Sequence, residues 1–95
     1  MLTPDTNLDA LARYIEVLAA ASRETTTAGD RPRYRDHLAA AAEMFAAMHF
    51  EGPSSKLKQL TESETRSYGL GYLSEDCGDR ANSAFVAFVD LLDLP

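Results

Sequence analysis

The stretch Arg31 to Gly52, RPRYRDHLAAAAEMFAAMHFEG, constrains the fold most, because its apolar residues repeat on two adjoining rows at helical spacing. Tyr34, Leu38, Ala41, Phe45 and Met48 advance by four, three, four and three, and His37, Ala40, Met44 and Ala47 form a second row beside them. So broad an apolar face needs more than one neighbour. The stretch therefore predicts the central post of a small helical bundle, opened by Pro32 and closed by Gly52-Pro53.

The flanking segments supply candidates for those neighbours. Between Thr3-Pro4 and Thr6 a first helix is expected to begin, with Leu8, Leu11, Ala12, Ile15, Leu18 and Ala19 as its apolar stripe. The β-branched run Thr25-Thr26-Thr27 weakens it and Gly29 is expected to stop it, so a short link folds the second helix back along the first. Residues 54 to 60, with Lys56 and Lys58, read as a polar connection or a single helical turn. Thr61 and Glu64 match the spacing of a capping box, which predicts a short third helix from Glu62, with Thr65, Tyr68, Gly69 and Tyr72 inward and Gly69 allowing a close approach. Ser74 reads as the cap of a fourth helix, whose stripe is Cys77, Ala81, Ala84, Phe88 and Leu91, widened by Phe85 and Leu92. The fold class is thus all-α. One antiparallel bundle of four helices is expected to span residues 1–95, since this length suits one core and leaves no room for two. The second and fourth helices, which share a rhythm, are expected to be the principal packing partners.

Charge narrows the partners. The net charge of −6 is uneven: residues 1–58 carry seven basic and eight acidic side chains, whereas residues 59–95 carry two basic and seven acidic. Nucleic acid is disfavoured, because binding phosphates needs clustered cations. No run approaches the roughly 18 apolar residues that span a bilayer, and MLTPDTNLDALARY lacks a basic leader with an apolar core. With a single cysteine, this makes a cytoplasmic protein the expectation. Seven arginines against two lysines, among many alanines, suggest a GC-rich bacterial gene.

No catalytic constellation is visible. His37 and His49 lie twelve residues apart, about 120° around an ideal helix, so they do not share the one-turn spacing of paired metal ligands. Each reads as a surface or interface histidine. Cys77 falls on an apolar stripe amid Glu75, Asp76 and Asp79, a setting unsuited to a thiolate nucleophile, and reads as a core thiol. Arg31, Arg33 and Arg35 crowd a helix start, where cations oppose the dipole; Asp30 or Asp36 is expected to offset them. No cofactor, metal or enzymatic activity is therefore expected.

What remains is association. The expected function is that of a small acidic protein-binding module of bacterial type, such as an immunity protein, antitoxin, inhibitor or secretion chaperone. Glu75, Asp76 and Asp79 would face a basic partner, and Phe45 and Met48 would supply apolar contact. The alternative is a structural homodimer paired through surplus apolar surface of the central helix. A ligand-binding protein or enzyme using His37, His49 or Tyr72 is a third class, with the least support.

Overall fold

The computed structural model describes residues 4–26, 28–52, 54–69 and 76–92. Four α-helices account for nearly all of them: α1 (Pro4–Glu24), α2 (Asp30–Glu51), α3 (Ser55–Gly69) and α4 (Asp76–Leu91). Among the described residues there is no strand. The all-α bundle read from the sequence is the observed architecture.

Its centre differs from the expectation. The second and fourth helices are not the principal partners: α1 packs along both α2 and α4, and α2 in turn carries α3. The reason is visible in the side chains. Leu11, Tyr14, Leu18 and Ala21 of α1 recur by three, four and three and are almost wholly buried. This row places two large aliphatics and an aromatic at the middle of the molecule, and Tyr14 is the member that the expected stripe omits. Among the buried residues of α2, by contrast, two are alanine, one is a histidine and one an aspartate. Its inner row is Tyr34, His37, Ala41, Met44, Ala47 and Met48, and it touches α4 where the Tyr34 hydroxyl lies 3.2 Å from Cys77 Sγ. From α4 come Cys77, Ala81, Phe85 and Phe88, as the rhythm of that segment predicts.

The helix ends follow local chemistry. Proline suits the first position of α1, since its missing N–H would have no partner there. Thr25 closes α1 by donating its N–H to Ala21 O at 2.9 Å and is itself buried. α2 starts at Asp30, two residues before Pro32, and Gly29 before it has an ordinary right-handed conformation. At the other end Gly52 adopts φ of 71° and donates to Met48 O at 3.0 Å, a positive-φ conformation that glycine accommodates without strain.

α3 departs most from expectation. It begins at Ser55, not Glu62, and its cap is Ser54, whose Oγ accepts from the Leu57 N–H at 3.3 Å. Thr61 lies inside the helix with its hydroxyl donating to Lys58 O. The inner face is Leu57, Thr61 and Glu64, flanked by Leu60 and Tyr68. Gly69 is exposed, and a β-carbon there would meet nothing within 4 Å, so no close approach depends on it. The expected Thr3 and Ser74 caps and the inward Tyr72 lie outside the described residues.

Candidate functional site

Two features of this bundle are not explained by packing alone: a buried polar joint between three helices and an apolar face turned outward.

The joint is centred on Glu64. One oxygen, Oε2, accepts the Tyr14 hydroxyl at 2.9 Å and the His37 Nδ1–H at 2.7 Å. The Tyr14 and Tyr68 hydroxyls are 2.6 Å apart, and since Tyr14 gives its one proton to the carboxylate, Tyr68 donates to Tyr14. The result is a chain running from Tyr68 through Tyr14 to Glu64, met from the other side by His37. Rings close around it: His37 stacks on Tyr68 at 4.4 Å and 15°, and Tyr68 stacks in turn on Phe85 at 5.4 Å. The side chains of His37 and Glu64 keep only 6% and 8% of their exposure. Burial, reinforced by Tyr68 and the Glu64 charge, holds the Tyr14 hydroxyl far above the ordinary tyrosine range. Tyr68 is raised as well, chiefly by burial and further by Glu64, against a lowering by its bond to Tyr14.

Sequence spacing misassigns two members of this joint. His37 is not a surface residue but a buried one, because its place in the second apolar row of α2 is an inner place. Glu64 is not a cap; it lies almost three turns into α3 and falls on the inner row with Leu57 and Thr61, at i, i+4 and i+7. The informative signal was an acid falling on an apolar period opposite a histidine and a tyrosine that also fall on apolar periods.

An open cleft of about 390 Å³ borders the joint, lined by Arg33, Asp36, His37, Glu64 and Ser67. Its charges are balanced. Arg33 contacts Asp30 Oδ1 at 3.2 Å, and Asp30, buried in the first turn of α2, offsets the arginine-rich helix start as expected. Arg31 and Arg35 are exposed and do not line this cleft. His49 is exposed too, edge-on to Phe50 at 4.9 Å, and is not brought to His37. Among the described residues no group of three or more His, Cys, Asp or Glu is placed to hold a metal ion.

The expected acidic contact is only partly described. Glu75 lies outside the described residues, as does the side chain of Asp76. Asp79 is exposed and lines a groove of about 540 Å³ between α1 and α4, where Arg13 and Arg80 stand beside it. Arg80 reaches across that seam to Glu24 at 2.8 Å. Asp79 therefore sits in mixed charge, and Glu64, one of the acids of the C-terminal part, is spent internally. Cys77 is a buried free thiol.

The apolar face belongs to α2. Ala39, Ala42, Phe45 and Ala46 are exposed along it, and Phe50 at its end is 81% exposed. Phe45 is at the edge, 37% exposed, while Met48 is a core residue and offers no contact surface. The other three helices concentrate their apolar side chains on one side; α2 does not. Its outer side mixes these apolar residues with exposed Arg35, Asp36, Glu43 and His49. No helix among the described residues is long and apolar enough to cross a membrane. Comparisons with models of protein families, with curated proteins and with solved structures find no match to this chain.

Proposed function

We propose that this chain is a small acidic, non-catalytic protein-binding module that meets its partner through the outer face of α2. The observation that carries the proposal is the exposure of Phe45 and Phe50 beside Ala39, Ala42 and Ala46 on a helix whose opposite side already fills the core. Contiguous apolar surface of this kind marks interaction sites on small proteins. The polar joint supports the same reading, because Glu64, His37, Tyr14 and Tyr68 direct their hydrogen bonds to one another across three helices. They hold α3 in place, and catalysis has no part in the proposal.

Its size and net charge of −6 fit the class of bacterial cytoplasmic immunity proteins, antitoxins, inhibitors and secretion chaperones by analogy. The exposed Asp79, beside Asp76 and Glu75 in sequence, adds steering toward a basic partner in this proposal. The test is affinity capture with the full chain, run beside Phe50→Ser and Phe45→Ser. Loss of the captured protein by both variants, with circular dichroism unchanged, is the expected result. Equal capture by wild type and variants would overturn the assignment of this face.

A further inference from the structure

The outer face of α2 is complementary to itself. At 100° per residue, Arg35, Ala39, Ala42, Ala46 and Phe50 fall within about 80° of one another around the helix. All five are exposed. A cation stands at one end of this line, an aromatic ring at the other, and small side chains between them. Arg35 makes no ion pair among the described residues.

Turning a second α2 end for end, about a two-fold axis between positions 42 and 43, superimposes these features in pairs. Ala39 then faces the partner's Ala46, and Arg35 faces the partner's Phe50, twice over by symmetry. Alanines at the centre let helix axes approach to about 8 Å, the close end of the usual range. At both ends a guanidinium lies on a ring face, a favourable placement for a cation on the electron-rich side of an aromatic. Antiparallel helix dipoles add to the match. A parallel pair would instead set arginine against arginine and leave the rings together at the far end.

We infer that the occupant of this face is a second copy of the chain, bound as an antiparallel two-fold pair through α2. The inference rests on the reading of this face as the binding surface, and it names a second copy there in place of a basic partner. One feature of the register opposes the pairing: the exposed Glu43 lies beside the axis, so the two Glu43 side chains come near each other. That conflict makes the register testable.

Sedimentation of the full chain between about 1 and 500 μM is expected to show a monomer–dimer equilibrium. Phe50→Ser and Arg35→Glu, both at exposed positions, should each weaken it about tenfold or more. Glu43→Gln should tighten it by relieving the like-charge contact. Under mild oxidation, Ala39→Cys mixed with Ala46→Cys should give a cross-linked heterodimer, whereas Asp36→Cys should not cross-link. A wild-type chain that stays monomeric throughout overturns the inference. So does a dimer indifferent to both substitutions and lacking the 39–46 cross-link. If the monomer still captures a different protein and Phe50→Ser abolishes that capture, the binding face stands and the second copy is excluded.

Discussion

The two seams of the bundle are built on opposite principles. Along α1, contact with α2 and α4 is made by Leu11, Leu18, Met44, Phe85 and Phe88, which interlock without fixed directions. Along α3, contact rests on one fully buried aliphatic, Leu57, together with Thr61, Glu64 and the partly buried Leu60 and Tyr68. The first seam supplies cohesion, since burial of apolar area is non-directional and roughly additive. The second supplies position, since hydrogen bonds to a carboxylate oxygen tolerate little displacement. The α3 seam is therefore well specified and weakly cohesive, and it is expected to open before the other.

The largest effects should expose this contrast. Glu64→Ala leaves the buried His37 and Tyr14 donors without their acceptor, a loss of about 3–5 kcal/mol in urea unfolding. Amide exchange should then rise first in α3. Phe88→Ala, a cavity in the other seam, should cost a similar amount, about 3–5 kcal/mol, with protection falling across α1, α2 and α4 together. If both variants lose protection uniformly, the two seams are one cooperative unit. The sharper test is to remove the whole polar set: Tyr14→Phe, His37→Leu, Glu64→Leu and Tyr68→Phe combined should recover most of what Glu64→Ala loses, because no donor of the joint is left unpaired.

Alkaline pH should act on the polar seam at intermediate size. Tyr14 and Tyr68 are raised above the reference value of 10.0 in the folded chain, so above that pH the native state binds more protons than the unfolded state. Their stabilisation is complete below about pH 10 and falls as pH rises, by up to about 1.4 kcal/mol per pH unit for each tyrosine. Tyr14→Phe should halve that slope between about pH 10 and 11. An unchanged slope would show that the Tyr14 hydroxyl is not protected as the geometry requires. The smallest effect belongs to the outer face of α2: Phe50→Ser should shift stability by less than about 0.5 kcal/mol, since the ring is exposed. Phe45→Asp should likewise leave the chain folded, whereas the same change at Phe88 should not.

How much of this was readable in the residues depends on which side of a pattern carried the signal. Four helices, the Gly52 stop and the Cys77-to-Phe88 stripe follow from spacing, because each apolar position there is an inner position. The hub was misplaced because breadth of pattern is not number of neighbours: both apolar rows of α2 reach the core, through Tyr34, Ala41 and Met48 and through His37, Met44 and Ala47, yet it is α1 that packs along both α2 and α4. Tyr14 of the true hub carries a hydroxyl, and a stripe drawn from aliphatics passes over it. Residues 54–60 read as a polar connection or a single helical turn because Lys56 and Lys58 dominate a stretch in which Leu57 alone is buried. At Glu64 the same letters satisfy two rules, a cap at a helix start and a ligand for buried donors, and only the location of Ser54 decides between them. Of the contact residues expected on the surface, Phe45 and Asp79 are exposed and Met48 is not.

Because Tyr14, His37 and Glu64 meet on one oxygen atom, positions 14, 37 and 64 cannot drift independently. A change at 64 alone strands two donors, and a change at 14 or 37 alone removes one of the bonds that make a buried acid tolerable. Among descendants of this sequence the three should vary as a set, polar together or apolar together, and a chain carrying an acid at 64 opposite leucine at 37 and phenylalanine at 14 should be missing from the record.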